Sequence, residues 1–142
     1  MSRAQDREYA AALMQVSREI KAASAEALRE LGVHIGQNFL LDELWREDGL
    51  TTGELARRIG VEVPTITRMT QRMEAAGLVT RARDDTDRRI MRILLTPAGE
   101  VLRDQVPAAL DRVNARSLTG LSPAERQQLT ALLRRVAANL RD

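Results

Sequence analysis

Residues 50–99 read LTTGELARRIGVEVPTITRMTQRMEAAGLVTRARDDTDRRIMRILLTPAG, and this stretch decides the fold. Thr51 followed three residues later by Glu54 has the spacing of a helix cap, and the helix it opens turns Leu55, Ala56 and Ile59 inward before Gly60 stops it. Val63-Pro64 opens a second helix, because proline fits the first turn, and Gly77 closes it just after Ala75 and Ala76. Two β-prone runs follow, 78–82 and 90–95, joined by the polar segment from Asp84 to Arg89. Thr96-Pro97 then restarts helix as cap and first residue. The order is helix, tight turn, helix, charged hairpin.

With roughly 3.6 residues per turn, the second of these helices divides cleanly. Ile66, Met69, Thr70 and Met73 share one face, while Pro64, Thr65, Thr67, Arg68, Gln71, Arg72 and Ala75 share the other. Short hydroxyls suit phosphates, and Gln and Arg have the reach and donor geometry for base edges in a major groove. In the hairpin, Asp87 and Arg89 are two apart and point the same way on an extended strand, so the carboxylate can orient the guanidinium. An arginine held in that way suits a narrow, electronegative minor groove. Asp84 and Asp85 would repel a phosphate backbone; they are expected to shape the turn or to pair with Arg81, Arg83 or Arg88.

Working outward, apolar residues at Leu13, Val16, Ile20, Ala23, Ala27 and Leu31 form one stripe on a helix expected over about 6–31, with Gly32 near its end. A helix over about 36–47 is expected to turn Phe39, Leu40, Leu44 and Trp45 inward before Asp48-Gly49 breaks it. The helix restarted at Thr96 should reach about 118, bent at Pro107. Ser122-Pro123-Ala124-Glu125 repeats the cap logic for a last helix with Leu129, Leu132, Leu133, Val136 and Leu140 on one face. The terminal stripes need cover, either from each other or from a second copy of the chain, and either arrangement makes a dimer region beside the central unit.

Composition narrows the function classes. The 142 residues suffice for one domain or two fused subdomains with a real core. Tyr9, Phe39 and Trp45 are the only aromatics, so that core is aliphatic. The net charge of +2 is modest, but Lys21 is the single lysine among 22 basic residues. Arginine makes bidentate contacts to phosphate and guanine that lysine cannot, although a GC-rich genome also favours it. Nine arginines fall within residues 50–99. Absence of cysteine excludes disulfides, thiolate catalysis and Cys-ligated metals. One histidine, no phosphate loop and only scattered carboxylates leave no catalytic constellation, so neither an enzyme nor a cofactor or metal site is expected. Without a signal-like apolar run or a membrane span, a cytoplasmic protein is expected.

Glu54-Leu55-Ala56, Pro64-Thr65-Ile66-Thr67-Arg68, Glu74-Ala75-Ala76-Gly77-Leu78-Val79, Asp87-Arg88-Arg89 and Leu95-Thr96-Pro97-Ala98-Gly99 stand in the order of a multiple-antibiotic-resistance regulator (MarR-type) winged helix, which the chain resembles closely over these 50 residues. The resemblance implies a mainly α fold with a small β-wing: a winged helix-turn-helix over 35–99, flanked by helical dimerisation regions over 1–34 and 100–142. It implies a homodimer reading a short palindrome in double-stranded DNA, as a ligand-responsive repressor. By motif, Thr65, Thr67, Arg68, Gln71 and Arg72 would meet the major groove, and Arg89, held by Asp87 with Arg88 beside it, the minor groove. Arg57 and Arg58 would either touch phosphate or pair within the chain. It further implies a small anionic or aromatic effector, for which His34, Asn38, Phe39 and Trp45 are the candidate pocket. His34 also reads as a loop residue and Trp45 as core. The rival readings are a winged helix used for protein interaction, and a DNA-binding protein that answers to no ligand.

Overall fold

Short polar side chains begin four of the helices by accepting a backbone N–H three residues on: Ser2 from Gln5, Thr51 from Glu54, Thr96 from Gly99 and Ser122 from Glu125. A computed structural model describes residues 2–141. Its elements are α1 (Arg3–Glu30), α2 (Gln37–Arg46), α3 (Thr52–Ile59), α4 (Val63–Ala75), β1 (Val79–Arg83), β2 (Met91–Leu95), α5 (Pro97–Ser117) and α6 (Pro123–Asn139). α1 starts three residues before the expected position because Ser2 and Gln5 form a reciprocal capping box. α5 is continuous through Pro107.

Gly60 is where the helix-turn-helix depends on a glycine. Its φ of 82° lies in the left-handed region, and it lets the Gly60 and Val61 amides both donate to the Ala56 carbonyl, so the chain reverses directly into α4. β1 and β2 pair antiparallel from Val79 opposite Leu95 to Arg83 opposite Met91. The Ile93 amide donates to the Leu50 carbonyl, and Thr51 bridges to Arg92, so the segment before α3 lines the free edge of β2.

The core is aliphatic. Leu40, Leu41 and Leu44 of α2, Leu55 of α3, Ile66 and Met73 of α4 and Ile93 of β2 are fully buried together with Leu28, Val33 and Leu50. Leu102 and Val106 of α5 join the same cluster, so the winged helix and the base of the long helices share one core. α5 lies against α1. No helix among the described residues is long and apolar enough to cross a membrane.

One expectation about burial fails. Phe39 was expected inward and is 58% exposed. The run Phe39-Leu40-Leu41 offers three apolar residues over most of a turn, and packing selects the Leu40–Leu41–Leu44–Trp45 side. The α1 stripe splits: Ala23, Ala27 and Leu31 are half-buried, whereas Val16 and Ile20 are exposed with Tyr9 and Met14. α6 buries none of its residues, and Leu129, Leu132, Leu133 and Leu140 all face outward. The terminal helices therefore leave their apolar stripes largely bare.

Candidate nucleic-acid interface

α4 is held by its apolar edge. Ile66, Thr70 and Met73 are buried, and the Thr70 hydroxyl is satisfied by donating to the Thr67 carbonyl at 3.1 Å. On the opposite edge Arg68, Gln71 and Arg72 are exposed, while Thr65 and Thr67 are half-buried. The Thr67 hydroxyl donates to the Val63 carbonyl at 3.2 Å, which leaves its oxygen free to accept. At the C-terminal end, Glu74 grips Arg81 of β1 through the Arg81 amide, Nε and Nη2 at 3.1–3.2 Å. Those contacts, led by the Arg81 side chain, hold the Glu74 carboxyl below its usual range. They also tie the helix to the hairpin.

The hairpin tip is built from carboxylates. Asp84 is buried, and its Oδ2 accepts from the Thr86 hydroxyl at 2.6 Å, the Asp87 amide at 3.0 Å and the Thr86 amide at 3.1 Å. Its Oδ1 accepts from Arg92 Nε at 2.5 Å, and Arg92 Nη1 donates onward to the Gly49 carbonyl at 2.9 Å. The Thr86 hydroxyl, then Arg92, then the Asp87 amide keep Asp84 ionised far below the ordinary carboxylate range. Asp84 thus shapes the turn, one of the two roles the sequence suggested, and its charged partner is Arg92 rather than Arg81, Arg83 or Arg88. Arg92 faces Ala82 across the sheet, so Asp84, two beyond Ala82, is its diagonal neighbour, a relation that only the strand register creates.

Asp87 binds Arg89 through both guanidinium donors, Nε to Oδ1 and Nη2 to Oδ2, each at 3.1 Å, and the Arg89 amide also donates to Oδ1. The Arg89 side chain, then its amide, lowers the Asp87 pKa. The two residues lie in the turn rather than on an extended strand, so it is this side chain-to-amide turn, not strand alternation, that brings them together. Arg89 remains 91% exposed while being held.

These pairs sort the arginines of residues 50–99. Arg81 and Arg92 are consumed within the fold, and Arg58 bonds Glu47 at 2.6 Å with Glu43 at 3.6 Å. Among the described residues, Arg57, Arg68, Arg72, Arg83 and Arg88 have no carboxylate partner. They sit on α3, α4 and the hairpin, with Arg89 at the tip.

The family model described as "MarR family" matches residues 33–91. Three solved structures share the architecture across the length of the chain. The YusO protein of Bacillus subtilis is 27% identical over 97% of this chain and 99% of that one, with a TM-score of 0.80. A MarR family protein from Bacillus stearothermophilus is 27% identical over 100% and 99%, at 0.75. A MarR-family transcriptional regulator from Rhodococcus sp. RHA1 is 25% identical over 96% of each chain, at 0.72. Residues 33–91 thus match the MarR family, and the whole chain shares the fold of its members.

The chain has the fold of MarR-family transcriptional regulators. Its pocket candidates separate. Asn38 and Phe39 line an apolar cleft of about 750 Å³ with Ile20, Lys21, Ile35 and Leu110. His34 lines a smaller cleft of about 360 Å³ against Thr65, Arg68 and Arg72. Trp45 lines neither: it is core, and its Nε1 donates to the Gly99 carbonyl at 3.0 Å. A ring N–H over apolar packing needs one buried acceptor, and Gly99 supplies it.

Proposed function

We propose that the chain is a homodimeric, sequence-specific DNA-binding regulator, acting as a repressor of a palindromic operator. The observation that carries this reading is the sorting of arginines. Arg68 and Arg72 stand free on the exposed edge of α4, while Arg89 is held outward by Asp87. On this reading Thr65, Thr67, Arg68, Gln71 and Arg72 read the major groove, and Arg88 and Arg89 reach the minor groove. The bare stripes of α1 and α6 support a second copy as their cover, with residues 1–34 and 100–142 as the dimerisation region and 35–99 as the DNA-binding unit. The cleft of Ile20, Lys21, Asn38 and Phe39 suits an anionic aromatic effector, because an apolar wall and one ammonium meet there.

Selection from random duplexes at low salt should yield two half-sites about one helical turn apart. Arg68→Ala should lose about 1–3 kcal/mol on the selected site and relax its base preference. Arg89→Ala should weaken binding without changing the major-groove preference. No retardation of any duplex at low salt would overturn the reading; two variants that bind like the parent would overturn the docking.

A further inference from the structure

The arginine that meets the minor groove on the reading above is held by Asp87, but nothing in Asp87 itself fixes where the loop lies. The seven residues 84–90 leave the sheet at Arg83 and return at Met91, and a free loop of that length would carry Arg89 through many positions. What orders it is a carboxylate turned away from the tip. Asp84 gathers three donors from Thr86 and Asp87 on one oxygen and Arg92 on the other. Arg92 in turn is fastened to the carbonyl of Gly49, in the segment that leads into α3. A continuous line of hydrogen bonds thus runs from Gly49 through Arg92 and Asp84 to the Asp87 amide, and from the Asp87 carboxylate to Arg89.

We propose that Asp84 is a positioning residue for DNA binding, which sets the Asp87–Arg89 pair at a fixed place relative to α3 and α4 through Arg92 and never touches DNA itself. The inference rests on the DNA-binding reading. Its burial and its pairing explain how an acid survives in a surface meant for phosphate: its charge is spent on Arg92 and on N–H donors inside the hairpin. Preorganisation is the benefit, because a loop already ordered gives up less conformational freedom on binding. Arg92 is by the same argument withdrawn from DNA.

A double-mutant cycle tests this on the full chain with the selected duplex. Asp84→Asn keeps the shape and removes the charge, and should weaken binding about tenfold, the size expected when a charge-assisted hydrogen bond is lost. The decisive result is coupling. In an Arg89→Ala background Asp84→Asn should cost clearly less than in the parent, the remainder being what Arg88 loses, whereas in an Arg68→Ala background its effect should add in full. Thr86→Val, which removes only the hydroxyl donor at the exposed tip, should show the same pattern at smaller size and without disturbing the core. If Asp84→Asn weakens the Arg89→Ala protein as much as the parent, or if neither variant changes binding, the positioning role is wrong. Failure of the parent to bind any duplex would instead sink the reading beneath it.

Discussion

Gly99 occupies the third position of α5, where helix propensity alone says that alanine would be better by up to about 1 kcal/mol. The tertiary structure reverses the sign. A Cβ on Gly99 would stand 2.2 Å from the carbonyl oxygen of Leu78, with the Leu78 carbonyl carbon and Leu95 Cδ2 at 3.2 Å. The obstacle is backbone, so no side chain can swing clear. The first turn of α5 must move off the base of the hairpin, and three contacts hold it there: Thr96 N to Leu78 O at 3.1 Å, Thr96 Oγ1 to Gly77 O at 2.5 Å, and Trp45 Nε1 to Gly99 O at 3.0 Å. Overpacking costs about 1–3 kcal/mol, and stretching one of these bonds to breaking adds about 1 kcal/mol. Less the gain in propensity, Gly99→Ala should destabilise by about 1–3 kcal/mol, moving the urea midpoint down by about 0.5–2 M. Gly53→Ala is the control. It lies in the first turn of α3, its nearest neighbour would be Thr51 Oγ1 at 4.0 Å, and it should stabilise by about 0.5–1 kcal/mol. Tryptophan fluorescence of Trp45 reports both unfolding curves, taken at one protein concentration because dimerisation would make stability concentration-dependent. A Gly99→Ala protein as stable as the parent, or a Gly53→Ala protein equally damaged, would refute the steric argument.

Three further outcomes follow from the ion pairs and bare stripes. Glu74, Asp84 and Asp87 all have lowered pKa values in the folded state, so their contribution is present above the unfolded carboxylate range near pH 4 and is lost as pH falls below it; Asp84→Asn should reduce stability at pH 7 and flatten the acid limb of a stability–pH curve, and an unchanged limb would contradict the assignment. Replacing Leu132 and Leu133 of α6 by Glu should shift sedimentation from dimer to monomer while far-ultraviolet circular dichroism keeps its helical signal; a dimer that survives both substitutions would place the interface elsewhere. Arg57, which has no acidic partner, and Arg58, which is held by Glu47 and Glu43, should differ in the salt dependence of DNA binding: Arg57→Ala lowers the slope by about one and Arg58→Ala leaves it alone. Equal slopes for the two variants would remove the distinction.

Much of the candidate interface could be read from spacing because the bonds that shape it are local. Thr51 reaches the Glu54 amide, Thr96 the Gly99 amide and Asp87 the Arg89 side chain, all within three residues along the chain. The two edges of α4 likewise follow from helical phase, with Ile66 and Met73 buried and Arg68 and Arg72 exposed. Phase was insufficient in α2, where Phe39 lies beside Leu40 and Leu41 and only the docking of that short helix selects which side is buried.

By itself, then, the order of caps, glycines and apolar phases determined a helix-turn-helix followed by a charged hairpin, because each signal acts across one turn of backbone. Tertiary structure decided which arginines remain available: Arg81 is taken by Glu74 across seven residues, Arg92 by Asp84 across eight, and Arg58 by Glu47 across eleven. It also decided that Gly99 must stay bare while Gly53 need not, although both sit in the first turn of a helix. The physical reason is the same in each case: strand register and helix docking bring together atoms whose separation along the chain carries no trace of their distance in space.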